Sequence, residues 1–245
     1  MAKFKTVSRA SAVLGLAALA GCTWWDPTMG MRNGPKATID AQNTTRSIFS
    51  LPRFGLGRAT PARMSADERQ CRVQLKRMGV QFEDIAPIYD SANCGIAHPI
   101  KVSTLARGVA LTPAATLNCE TTLATAQWLQ GDAAPAARLR YLSGIAEVRQ
   151  MSSYSCRRIG GNGQWSEHAS GNALDIGAIE LKNGRVIDVA KPGFFAMRER
   201  AFLQAVRASA CDDFTTVLGP GSDAAHADHF HFDLRARKSG YRHCD

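Results

Sequence analysis

The chain has 245 residues, seven cysteines and a formal net charge of +9. No apolar run approaches the roughly 20 residues that cross a bilayer, which excludes an integral membrane bundle. The basic residues form no stripe interleaved with aromatics and no recognition motif, so nucleic acid is not an expected partner. A basic chain of this kind suits an anionic surface such as a cell wall or lipid headgroups.

The first residues read MAKFKTVSRASAVLGLAALAGC. Lys3, Lys5 and Arg9 precede a short apolar run over residues 10–20, the layout of an export signal. The run closes on Leu19-Ala20-Gly21-Cys22, which resembles the lipobox of bacterial lipoproteins. Residues 1–21 are therefore expected to be a lipoprotein signal peptide and Cys22 the lipidation point. The protein is expected on the periplasmic side of a bacterial membrane, tethered by that lipid. Cleavage would remove three cations and leave +6. Residues 22–63, rich in Thr, Asn, Gly, Pro and Arg, read as a flexible linker.

Export changes the meaning of the remaining cysteines. Cys71, Cys94, Cys119, Cys156, Cys211 and Cys244 form an even set of six, the signature of three disulfides in an oxidising compartment. Fifteen pairings are open to six cysteines. No CxxC occurs, so a zinc ribbon or a thioredoxin-type site has no support.

Residues 64–245 are long enough for one domain with a substantial core. SADERQCRVQLKRMG predicts a helix, with Ser65 as cap, Glu68 in a capping-box position and Gly79 as terminator. VQFEDIAPI alternates like a strand. TPAATLNCETTLATAQWLQG predicts a second helix with Pro113 near its start and Gly131 at its end. GIAEVRQMSSYSC reads as a strand entering a loop. NALDIGAIELKNGRVIDVA predicts a hairpin turning at Asn183-Gly184. PGFFAMRERAFLQAVRASACDDF predicts the last long helix, with TTVLGPG and HFHFDLR as strands. The expected fold class is α+β: a single disulfide-stapled domain with a central, mostly antiparallel sheet flanked by helices, and a metal site at the sheet edge.

Four of the six histidines fall in two windows, SEHASGNALDIG and HADHFHFDL. Alternation along HFHFDL puts His229, His231 and Asp233 on one face, with Phe230, Phe232 and Leu234 on the other. The same rule groups Ala173, Asp175, Gly177 and Ile179, and Gly171 permits a turn that swings His168 back beside Asp175. His168, Asp175 and one histidine of the HxH pair would supply the three ligands of a catalytic Zn2+ site with one open position. Each motif alone also fits an ordinary polar strand end or a surface histidine. His98 reads as a loop residue, His243 as an exposed residue near the terminus, Trp128 as a packing residue, and Trp165 as a candidate substrate contact. HASGN lacks a following PCxxC, which excludes a zinc deaminase.

These residues carry a resemblance. Ser166-x-His168-x-x-Gly171-x-Ala173-x-Asp175 with His229-x-His231 resembles the zinc peptidases that include D-alanyl-D-alanine carboxypeptidases, vancomycin-resistance dipeptidases, murein endopeptidases, lysostaphin and the Hedgehog domain. More closely, CRVQL, CGIAHPI, SYSCR, SEHASGNALDI, TVLGP and HADHFHFDL resemble the bacterial extensin-like C-terminal family from about residue 70 onward. The resemblance implies His168, Asp175 and His231 as metal ligands and His229 as a partner of the reacting water. It implies a catalytic part for His226, and places Asp228 where the dipeptidases carry a glutamate. Asp228 is one methylene shorter than that base. Arg157 falls loosely where an arginine faces the substrate carbonyl, with a surface ion pair as the other reading. The implied activity is peptide hydrolysis in peptidoglycan, with Asp228, His226 or His229 taking a proton from water and Arg157 steadying the oxyanion. Two other readings stand beside it: a metal-containing wall-binding lipoprotein without turnover, and a metal-free disulfide-stapled adaptor.

Overall fold

The computed structural model describes residues 63–190 and 196–245. The signal segment, Cys22, Trp24, Trp25 and nearly all of the expected linker lie outside the described residues. So do residues 191–195, where the sequence reading begins the last long helix. No helix among the described residues is long and apolar enough to cross a membrane.

In chain order the elements are α1 (Ala66–Arg77), β1 (Gln81–Asp84), β2 (Ile88–Ser91), β3 (Cys94–Ile96), β4 (Ile100–Leu105), β5 (Val109–Leu117), α2 (Cys119–Trp128) and α3 (Ala134–Tyr141). There follow β6 (Ile145–Ser152), β7 (Ala173–Leu181), β8 (Val186–Asp188), α4 (Met197–Asp213), β9 (Thr216–Leu218), β10 (Phe230–Asp233) and β11 (His243–Cys244). Helix α1 starts where its cap is expected: Ser65 Oγ accepts from the Glu68 amide at 3.0 Å. The Glu68 carboxylate turns instead to Arg72, 2.9 Å away. Arg72 also reaches Asp84 at 2.8 Å and the His98 carbonyl at 3.1 Å, tying α1 to β1 and to the entry of β4. Gly79, at φ +76°, ends the helix turn as the sequence predicts.

The expected second helix is corrected at both ends. Val109–Leu117 is a strand, paired to β4 and β6, with Val109, Leu111, Ala115 and Leu117 buried in alternation. Asn118 then caps α2, its side chain accepting from the Thr121 amide at 2.8 Å. Gly131 does not end the helix. It lies in a π-helical turn, Leu129–Ala133, that passes straight into α3.

The sheet runs β1-β4-β5-β6-β7-β10-β9-β11, with β8 beside β7, and β2–β3 form a separate pair. The fold is a mixed α+β domain with a central sheet and helices. Its sheet is antiparallel only in part, because β5–β6 and β9–β11 are parallel joins. The β7–β8 hairpin turns at Asn183-Gly184 through a three-residue loop, with Gly184 at φ +82°.

Helices α2 and α4 meet over the sheet face that carries Phe230 and Phe232. Trp128 packs edge-on against Phe232 with centroids 5.3 Å apart, and its indole donates to the Val206 carbonyl at 2.8 Å. Phe214 closes on the same ring at 5.2 Å. Three disulfides fasten the ends of this arrangement: Cys71–Cys119 joins α1 to α2, Cys94–Cys156 joins β3 to the loop after β6, and Cys211–Cys244 joins α4 to β11.

Candidate metal centre

Asp175 and His231 face each other in register across β7 and β10. Both strands are interior, flanked by β6 and β9, so the site lies on the sheet's face and not at its edge. Alternation does the placing: Leu174, Ile176, Phe230 and Phe232 enter the core, and Asp175, His231 and Asp233 point the other way. The expected grouping of Ile179 with Asp175 fails. Gly177 is an unpaired extra residue opposite β6, and this bulge shifts the phase and sends Ile179 into the core.

His168 arrives from a short 3-10 turn, Glu167–Ser170, whose amide at His168 donates to Ser166 Oγ at 3.4 Å. Gly171 ends that turn at φ +65°, and a Cβ there would collide with Ile96 Cδ1 of β3. Asn172 then locks the turn to the start of α2. Its Oδ1 accepts from Asn118 Nδ2 at 3.1 Å and from Thr121 Oγ1 at 3.2 Å, while its Nδ2 donates to Glu167 at 2.6 Å.

The three side chains converge. His168 Nε2 is 3.1 Å from Asp175 Oδ2 and 3.2 Å from His231 Nδ1, and His231 Nδ1 is 2.8 Å from Asp175 Oδ1. All three residues are buried, and among the described residues they are the one His/Cys/Asp/Glu group able to hold a metal ion. The opposite ring nitrogens decide what these atoms offer. His168 Nδ1 lies 2.6 Å from the Ser153 carbonyl, which can only accept, so Nδ1 carries the proton and Nε2 presents a lone pair. His231 Nε2 lies 3.0 Å from Asp233 Oδ2, so in the neutral ring its Nδ1 also presents a lone pair. Two imidazole lone pairs and a carboxylate thus aim at one small space, an arrangement a divalent cation satisfies.

Without a cation, a proton takes that place. Burial works against charge on His231, but hydrogen bonds to Asp175 and Asp233 outweigh it and push its pKa up to about 9. Burial likewise opposes ionisation of Asp175, yet the hydrogen bonds of His168 and His231 hold its carboxyl well below the usual range.

The other candidate residues stand around this group. Arg157 Nη2 is 3.5 Å from Asp175 Oδ2 with its side chain half exposed, so its partner is a buried acid and not a surface one. His229 Nε2 is 3.7 Å from Asp175 Oδ1, and its Nδ1 meets Asp228 Oδ1 at 2.7 Å. Asp228 itself is 60% exposed, and its hydrogen bond to His229 lowers its pKa. His226 Nδ1 is held by Asp223 at 2.8 Å, and its ring centre is 5.4 Å from that of His231. The site opens on a cleft of about 250 Å³ bordered by Arg157, His226 and Arg235. His243 borders it too and is half-buried in β11, where an exposed residue near the terminus is expected from the sequence. His98 stays in a loop, Trp128 packs the core, and Trp165 lies under the Arg158 guanidinium at 4.3 Å. Sequence reasoning assigned no role to Ser153, Asp223 or Asp233. Asp233 had a signal, since it stands two residues after His231 on the same strand face.

The fold and site together define a disulfide-bonded α+β domain with a buried His/Asp group suited to a cation. The chain belongs to the family described as extensin-like protein C-terminus, whose pattern it matches over residues 69–245. Neither the curated proteins nor the solved structures contain a significant match to it.

Proposed function

We propose that this protein is a zinc-dependent hydrolase of the bacterial cell envelope, anchored through Cys22 and cutting peptide bonds in the stem or crosslink of peptidoglycan. The observation that carries this reading is the convergence of two imidazole lone pairs and one carboxylate, with both tautomers fixed from behind by Ser153 and Asp233. That donor set fits zinc, which takes three N/O ligands in catalytic sites. The motif resemblance to the zinc carboxypeptidases and murein endopeptidases points the same way.

His168, Asp175 and His231 would hold the ion. Bound there, it would acidify water and polarise a carbonyl. The chain's own residues supply the rest. Asp228 fixes the Nδ1 proton of His229, leaving Nε2 directed at the site to take a proton and return it to the leaving amine. Asp228 thereby acts as the orienting partner of His229 in place of being the base. Asp223 arranges His226 in the same way. The half-exposed Arg157 guanidinium is positioned to steady an oxyanion.

The wall-binding reading draws support from one feature. Asp228 is exposed and committed to His229, so no carboxylate stands free where the dipeptidases carry their base. Digestion of purified sacculi separates the readings. Zinc-loaded wild type is expected to release peptides that His231→Ala does not, and His229→Ala is expected to keep zinc while losing release. Identical release profiles with stoichiometric zinc would establish binding without turnover, and failure to bind any divalent cation would sink both.

A further inference from the structure

The far end of β7 carries a second surface of different chemistry. Asp175 stands near the start of the strand and Leu181 at its end, about 20 Å apart at the usual strand rise. There the end of α3, the β7–β8 turn and the start of α4 gather around Tyr141. Its ring packs on Phe202 with centroids 5.6 Å apart, and the guanidinium groups of Arg185 and Arg198 lie over it at 5.8 and 5.9 Å. Lys182 donates its amide to the Gly144 carbonyl at 2.8 Å, and Ser143 Oγ accepts from Asn183 at 3.2 Å, so turn and helix end are joined.

Three large apolar side chains stand in solvent on these elements. Leu142 is 94% exposed, Leu139 79% and Met197 78%. Leu142 also sits at φ +51°, a conformation that residues other than Gly, Asn and Asp rarely adopt. Its amide caps α3 by donating to the Arg138 carbonyl at 2.9 Å, while its side chain stays in solvent. The end of α3, the β7–β8 turn and the first turn of α4 also carry Arg138, Arg140, Lys182, Arg185 and Arg198, against one acid, Glu199, which pairs with Arg185 at 3.0 Å. Glu147 of β6 and Glu180 of β7 are both taken by Arg149.

We propose that this face is a docking surface for an anionic lipid bilayer. Exposed leucine and methionine side chains have no use for a hydrated polysaccharide, but they enter the boundary between headgroups and acyl chains. Interspersed Arg and Lys complement lipid phosphates, and their long stems let the charge stay at the headgroup level. A second copy of the same face would set the five cations against their own duplicates, so self-association through it is opposed by charge. Docking here directs the His168–Asp175–His231 end of β7 away from the membrane.

The test uses the full-length chain with vesicles that contain phosphatidylglycerol, and with purely zwitterionic vesicles. Hydrogen exchange is expected to slow at residues 138–142, 182–186 and 197–199 on anionic vesicles only, and the slowing is expected to fade with salt. Arg138→Ala and Lys182→Ala should each weaken vesicle binding by about fivefold, and Leu142→Ser should remove the protection at 138–142. These positions are exposed, so melting should not change. Zinc binding measured on the same samples reports on the catalytic reading separately. Equal exchange with and without anionic vesicles overturns the proposal. So does protection that grows with protein concentration in the absence of lipid, or that appears only with an acidic protein.

Discussion

Asp233→Asn tests whether the His/Asp group is a cation site or only a buried polar network. Asp233 Oδ2 holds His231 Nε2 at 3.0 Å and so dictates which nitrogen of that ring is free. An outer carboxylate of this kind affects metal affinity by about 10- to 100-fold when removed. At a free zinc concentration 1,000 times the wild-type Kd, binding stabilises the fold by about 4.1 kcal/mol, and at 10 to 100 times by about 1.4 to 2.7 kcal/mol. For a body of this size, one kcal/mol moves Tm by roughly 3 °C. The zinc-induced rise is therefore expected to be about 12 °C in the wild type and about 4 to 8 °C in Asp233→Asn at the same zinc concentration. Scanning calorimetry with zinc and with a chelator measures both. Asp223→Asn is the matched control, because Asp223 holds His226, outside the three donors, and should leave the rise intact. Equal rises in wild type and Asp233→Asn, or no rise in either, refute the reasoning.

Three further outcomes follow from particular contacts. Replacing Cys94 and Cys156 with serine removes a cross-link between residues 62 apart, worth about 4 kcal/mol on the loop-entropy model, and denaturant unfolding should show that loss. Gly171→Ala should lower both stability and zinc affinity, because it forces a side chain into the positive-φ position that returns His168 and into Ile96; unchanged affinity by calorimetric titration would count against that role. Burial, then the nearby charges of Asp132 and Asp212, raise the Asp213 carboxyl to about 6. Folding thus favours its protonated form, a contribution present below about pH 4 and lost as pH rises through about 6. Asp213→Asn should remove that pH dependence and stabilise the protein at pH 7.5 by about 1 kcal/mol after discounting for solvent screening, and superimposable melting profiles from pH 4 to 7.5 would refute it.

What the sequence made legible was local. His229-x-His231 and Asp175 declare themselves by alternation, and the Ser65 cap and the Asn183-Gly184 turn depend on neighbours within a few residues. Val109–Leu117 was not legible. Its Ala, Thr and Leu content suits a helix as well as a strand, and pairing to β4 and β6 decides the matter. The bulge at Gly177 is equally hidden, since a glycine within a strand pattern does not say whether it pairs. Nor could the sequence reveal Ser153, whose contribution to the site is a backbone carbonyl that any residue would supply. The cysteine pairing likewise depends on which chain ends the completed sheet brings together.

The core and the site are fixed by one register. Phe230 and Phe232 are buried on one face of β10 while His231 and Asp233 face the other, and His231 lies opposite Asp175. A slip of one residue would drive His231 and Asp233 into the space beside Trp128 and Phe214 and bring the phenylalanines to the site. Burying those two polar groups without partners would cost several kcal/mol, and exposing the rings would forfeit a comparable amount. The aromatic packing beneath β10 therefore sets the donor geometry above it. Substitutions that loosen Phe232 are expected to weaken cation binding from the opposite face of the sheet, without touching a single ligand.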